Sequence, residues 1–506
     1  MQTPPDIDDS GARREDAEPD DDDNVEVLSD RAFGRNHRRH LESSTYAART
    51  TTQDKQTARR QKRAANKQHP PVLTPESGPD VALVLHKPSS ATTRLRVELV
   101  DMMVRTHRSE IWYDLLPARI GHSDAIDSAA KALIKASDLA SRRTNVTEES
   151  CLSSYNRAIT SVRDGMIKSS SGDDLLCAVA LLVNFERLFS GWTSAPMRSH
   201  MHGIMAIFMA QSKGPHKPPS ELTRTLVYTF WAVGFIGPCV MGTASPLEVP
   251  RYLDLEPVPF AKDKMSCPWS AVAKLRKLGN QQFIRLPRLI MLFKGVQSGK
   301  QPQDLEAAVL LAKELLEMHD DAAETEMLHH VTVQKAEEDP KIETMPYLMK
   351  FTTMGEFEAA MHYWSTQIIL LRLCWRMSRL FSAKYESHGL WSKSRLETQI
   401  SRMSANVLMA APWGLNKGET GRSCEVLDLV AVWGALNDFD VFAARKLAPA
   451  KARSLLLYAG QIVMGISGES AAAECADRLS AAAELFIGGQ SSGILAFTFK
   501  KSGPSG

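Results

Sequence analysis

No cysteine precedes Cys151 in this chain, and none of its seven cysteines lies in a C-x-x-C pair. That excludes zinc fingers, ribbons and thiol redox motifs built from neighbouring thiolates. An odd number of scattered cysteines in apolar contexts fits reduced thiols in an intracellular protein and not a disulfide framework. Long apolar runs are lacking too. The longest uncharged stretch, residues 225–246, is interrupted by Gly234, Gly237 and Pro238. It falls short of the roughly 20 smooth apolar residues of a membrane span, so it reads as a buried helix. The N-terminal MQTPPDIDDSG has neither the basic start nor the apolar run of a signal peptide. Repeats of fixed period are missing, which argues against a solenoid.

What is present is uneven. A formal net charge of +2 conceals an acidic stretch, residues 1–30, whose cations are Arg13 and Arg14, followed by a basic stretch, residues 31–70, whose acids are Glu42 and Asp54. With Pro70, Pro71 and Pro75 and almost no large apolar side chains, residues 1–90 cannot bury enough surface to offset chain entropy, and a disordered arm is expected. From Thr93 the pattern becomes helical and stays so. Residues 93–490 are therefore expected to form one all-α domain, with 491–506 a flexible tail.

Several helices have explicit start signals. Ser123 is a cap for residues 123–141, with Asp124 in the first turn and Ile126, Ala130, Leu133 and Ser137 on one side. Residues 173–189 are apolar almost all round and belong at the centre of the fold. Pro302 opens a helix with the stripe Leu305, Ala308, Val309, Ala312 and Leu316. Thr353 and Glu356 form a capping box ahead of Phe357, Met361, Trp364, Ile368, Leu371 and Trp375. That stripe alternates steps of four and three, but its aromatic content suits a helical bundle better than a coiled-coil seam. Residues 242–268, rich in Pro and Gly, read as an irregular crossover.

Enzyme motifs do not hold together. Gly489-Gln490-Ser491-Ser492-Gly493 has the letters of a nucleophile elbow, yet no Asp, Glu or His follows it. Residues 295–300 approach a phosphate loop but are one residue short, and Gln301 stands where a Ser or Thr would hold magnesium, so a turn between helices is expected. Glu326 and His330 could share a helix face near His319, Asp320, Asp321 and His329, but no second ligand pair has matching spacing. A solvated polar face is expected, with no metal and no cofactor, and the chain is expected not to be an enzyme. The basic run Arg59, Arg60, Lys62, Arg63, Lys67 reads as a nuclear-localisation signal, with a sequence-independent DNA-contacting arm or a solvated tail as alternatives. A basic zipper is excluded, since His69-Pro70-Pro71 follows where heptads are needed.

The most specific signal lies in residues 155–208: YNRAITSVRDGMI, then DDLLCAVALLVNFERLF, then Trp192, then HMHG. Tyr155, Ala158, Leu175, Leu176, Leu182, Glu186, Trp192, His200 and Gly203 resemble the central helical region of the fungal-specific transcription factors. The YWSTQIILLRL segment resembles a late helix of the same family. The resemblance implies an all-α regulatory region, a nuclear location and control of a metabolic or biosynthetic gene set. Usual members carry a cysteine-rich zinc cluster; here either a DNA-binding partner or the transcription machinery supplies that contact, or the cluster was lost upstream of Met1 in the gene model. Direct DNA contact would then be non-specific. For His200 and Gly203 the plain reading is helix packing, with Gly203 permitting close backbone approach. A helical scaffold or adaptor without a transcriptional role is the alternative.

Overall fold

A computed structural model describes residues 90–106, 111–142, 145–168, 172–189, 195–213, 218–259, 266–299, 302–335, 345–416, 419–438, 449–467 and 472–489. Over these the protein is all-α apart from one short hairpin. The expected arm, the tail and the basic run at 59–67 lie outside the described residues.

The first half consists of α1 (Ala91–Arg105), α2 (Ile111–Asp114), α3 (Leu116–Arg119), α4 (Asp124–Ala140), α5 (Glu148–Ile167), α6 (Gly172–Phe189), α7 (Ala195–Ser212), α8 (Glu221–Thr229), α9 (Val233–Met241) and α10 (Pro250–Leu253). Ser123 caps α4 by accepting the Ile126 N–H, as its sequence indicates. Ser90, Thr147 and Ser220 do the same for α1, α5 and α8. The α6 helix is buried at every position from Leu176 to Glu186 and forms the centre of a first core, packed on α4, α5 and α7. A helix with no polar face can satisfy its surroundings only from inside.

The second half holds α11 (Trp269–Gln297), α12 (Asp304–Glu317), α13 (Asp321–His329), α14 (Met354–Leu380), α15 (Ser382–Ser387), α16 (Lys393–Leu415), α17 (Glu419–Asn437), α18 (Pro449–Ser467) and α19 (Ala472–Leu485). Its axis is α14, almost wholly buried from Gly355 to Trp375 between α11, α16 and α17. The heptad-like stripe is thus one side of a helix enclosed by a bundle, not a two-stranded seam. Between α13 and α14, β1 (Thr332–Lys335) pairs antiparallel with β2 (Tyr347–Lys350), Thr332 opposite Lys350.

Local details depart from the sequence reading. The apolar stretch after Glu221 is two helices, α8 and α9, bent by 54°. No single described helix is long and apolar enough to cross a membrane, while this bent pair meets the length and composition together. Pro238 lies within α9, and Gly234 brings the backbone so near Leu247 that an added Cβ would sit 2.6 Å from its Cδ1. Pro302 precedes α12 instead of opening it: the helix starts at Asp304, and Pro302 O accepts the Leu305 N–H. The crossover after Met241 includes the short α10. Gly299, with φ +70°, turns the chain after α11, so the phosphate-loop look-alike is a helix end.

The two cores meet along α11. Val272, Leu275, Phe283, Leu286, Leu289 and Phe293 belong to the second core, whereas Ile284 belongs to the first. On the Ile284 side, Lys277 pairs with Glu256, Gln281 donates to Leu253 O at 2.7 Å, and Arg288 binds Glu248 at 2.7 Å.

Candidate functional site: the Tyr155, Glu186 and His200 cluster

Three of the singled-out residues come from different helices and converge. On α5, Cys151, Ala158 and Val162 face the first core, and Tyr155 lies half-buried on the same side. Its ring stacks on Phe185 of α6 at 4.6 Å and 17°, and Phe185 stacks in turn on Phe189 at 5.2 Å. The next residue of α6, Glu186, is a carboxylate buried to 2% exposure. From α7, whose Ile204 and Phe208 enter the core, His200 places Nε2 2.7 Å from the Tyr155 hydroxyl. The imidazole meets the Tyr155 ring edge-on, with centroids 5.9 Å apart.

The electrostatics define the proton positions. The Tyr155 phenol is pushed far up, first by burial and then by its hydrogen bond to Glu186 and that carboxylate's charge. Burial holds His200 below the ordinary imidazole range, and Glu186 partly offsets this. A phenol has one proton to give and an ionised carboxylate can only accept. With its proton directed to Glu186, Tyr155 is left to accept from His200, an arrangement that needs the Nε2–H tautomer. The result is a carboxylate–phenol–imidazole chain that ties three helices, with its imidazole end half-exposed.

Gly203 does not do what its sequence context suggests. A Cβ there would meet only Val179 Cγ1, at 3.6 Å, an ordinary contact. Close backbone approach is thus not its role. Trp192, and the basic residues Arg59, Arg60, Lys62, Arg63 and Lys67, lie outside the described residues. Of the nucleophile-elbow look-alike, only Gly489 is described.

The histidine-rich segment divides in two. His330 Nε2 lies 3.5 Å from Glu326 on an outward side of α13, the solvated pair that spacing indicates. His319 turns inward instead and bonds Tyr363 and Asp321. Glu324, which sequence reasoning passed over, is buried and accepts Trp364 Nε1 at 2.7 Å and both Arg402 terminal nitrogens at 2.6 and 2.8 Å. In the sequence it is one more acid in a helix's first turn; its partners are 40 and 78 positions away.

Neither family models, curated proteins nor solved structures contain a match to this chain. Its function must be argued from its own residues.

Proposed function

We propose that this protein is a transcriptional regulator of the fungal-specific type whose helical body transmits a regulatory contact, with DNA recognition left to a partner. What supports the reading is the convergence of Tyr155, Glu186 and His200. Tyr155 and His200, singled out by the same resemblance and 45 positions apart, are hydrogen-bonded, and Glu186 faces the same phenol. Because residues 1–150 hold no cysteine for a zinc cluster, this reading leaves base recognition to a partner. The cation cluster at Arg59, Arg60, Lys62 and Arg63 supplies nuclear entry.

An adaptor role has one observation in its favour: α1 buries Leu95, Leu99 and Met102 yet exposes Val97, Val100 and Val104 along another side. A two-part experiment separates the readings. The full chain is fused to a heterologous DNA-binding module upstream of a reporter, and a fluorescent fusion is imaged with the four cations intact or replaced by Ala. Reporter output that changes by several-fold, together with nuclear signal lost in the four-Ala variant, is the expected result. A silent reporter with a cytoplasmic parent fusion would leave the adaptor reading in place.

A further inference from the structure

The short segment ahead of α13 and the first turn of that helix bring three metal-ligating side chains together: one donor atom from each of His319, Asp321 and Glu324 lies within 4.8 Å of the others. The imidazole is oriented from behind. Its Nδ1 is 2.9 Å from the Tyr363 hydroxyl, which also accepts the Asp320 N–H at 3.3 Å. The ring is further held between Tyr363, stacked at 6.1 Å, and Trp391, edge-on at 5.2 Å. Nε2 consequently faces Asp321, 2.7 Å from Oδ1.

Glu324 is oriented just as firmly. Its Oε1 accepts from Trp364 and from one Arg402 nitrogen, and its Oε2 accepts from the other Arg402 nitrogen. A carboxylate oxygen has two lone-pair sites, so Oε1 is filled and Oε2 retains one. Asp321 and Glu324 are three residues apart at the start of α13, which puts them on one side of the helix. Asp321 is 65% exposed while the His319 side chain is only 4% exposed. The group therefore has two anchored donors and one exposed donor at the water boundary.

We propose that His319 Nε2, an Asp321 oxygen and Glu324 Oε2 bind one divalent transition-metal ion, with zinc the best chemical match. One imidazole and two carboxylates, the Asp321 one exposed, give three protein ligands of types that zinc takes, the count that leaves a fourth position for water. Imidazole favours zinc and its neighbours over magnesium and calcium, which demand more oxygen donors. Tyr363 behind the imidazole, and Trp364 with Arg402 behind the carboxylate, are the outer partners that orient such ligands. For zinc bonds of about 2.0–2.2 Å in tetrahedral geometry, the His319 to Asp321 separation must widen to about 3.3 Å. Asp321, being exposed, makes that movement. Lys274 bound to Asp320 and Arg402 bound to Glu324 each offset a nearby carboxylate, so affinity lies below that of thiolate sites. This site is independent of the proposed regulatory function.

The test uses the full chain, stripped with a chelator and titrated with zinc chloride by calorimetry and with cobalt(II) by visible absorption. One saturable equivalent is expected. Asp321→Asn, an exposed change that leaves thermal unfolding in place, should weaken binding at least tenfold, and His319→Gln should do the same. His330→Gln, which breaks the outward pair with Glu326, should leave the affinity unchanged. The proposal is overturned if the parent shows no one-equivalent isotherm, if Asp321→Asn binds as tightly as the parent, or if His330→Gln is the change that abolishes binding.

Discussion

At single positions, the space around a residue and the protonation of its neighbours decide what a change does. Gly203, mid-helix in α7, has room for a methyl group, and a helix-interior Gly carries an entropic penalty of about 0.5–1 kcal/mol relative to Ala. Gly203→Ala should therefore raise the urea midpoint slightly. Gly434 is the opposite case. An added Cβ would lie 2.1 Å from Arg372 Nη1 and 2.7 Å from Ala483 Cβ, so Gly434→Ala should cost about 1–3 kcal/mol through overpacking. Protonation supplies a second residue-scale prediction. Asp428 is buried and hydrogen-bonded to Ser365, and burial pushes its carboxyl up to about 7. The folded state then holds a proton that the unfolded state, titrating near about 4, releases. That contribution is fully present below about pH 4 and is lost as pH rises to about 7. Asp428→Asn removes it, so the parent's advantage over the variant should grow by about 1.4 kcal/mol per pH unit on acidification from 7 to 4. Chemical denaturation of both proteins across that range is the measurement. His362 opposes this slope in the parent: burial depresses it to about 3, so its contribution is present above its ordinary range and lost on acidification. Only the difference between parent and variant isolates Asp428.

Among the elements, α14 carries the clearest lesson about caps. Thr353 Oγ1 accepts the Glu356 N–H at 3.3 Å and Glu356 Oε2 accepts the Thr353 N–H at 2.9 Å, the reciprocal pair that the sequence signals. The other oxygen, Oε1, accepts the Ser266 N–H, the Ser266 hydroxyl and the Cys267 N–H at 3.0, 3.1 and 2.9 Å. One carboxylate thus closes the start of α14 and fastens the chain that enters α11. Thr353→Ala should cost about 1 kcal/mol, an ordinary cap loss. Glu356→Ala should cost at least about 2 kcal/mol, because it strands the buried Thr353 and Cys267 N–H groups at roughly 1–3 kcal/mol each, besides the part-buried Ser266 N–H. Urea melts followed by circular dichroism at helix wavelengths compare the two, and equal losses would mean that the Ser266 and Cys267 bonds contribute nothing.

Across the whole molecule, α11 is an element both cores share, as is α9, whose Val233 lies in the first core and whose Phe235 and Cys239 lie in the second. In α11, Phe283 and Leu286 serve the second core, while Ile284 serves the first. Beside it Glu248 is a mostly buried acid bonded to Arg288; burial raises its pKa and the arginines partly offset this. Deleting a fully buried Ile side chain typically costs about 2–5 kcal/mol. Ile284→Ala should accordingly destabilise the molecule by that amount, and the damage should appear in the first core. Hydrogen exchange read by mass spectrometry is expected to show a greater loss of protection over residues 124–189 than over 354–415, although the substituted helix belongs mainly to the second core.

The amino-acid sequence alone determined the class of fold, the caps at Ser123 and Thr353 and the central place of α6, since each rests on relations within a turn or two of helix. It also singled out Tyr155, Glu186 and His200 through a pattern of residue types. Only tertiary structure decided what those residues do together. Their hydrogen bonds, like those of Glu324 with Arg402 and Glu356 with Ser266, join positions 45, 78 and 90 apart. Such pairings leave no periodic trace in the chain. The same holds for Gly203, because local sequence is silent about how much space the facing helix leaves, and for α11, where Ile284 lies among Lys277, Gln281 and Arg288 and nothing local shows that it joins the other core.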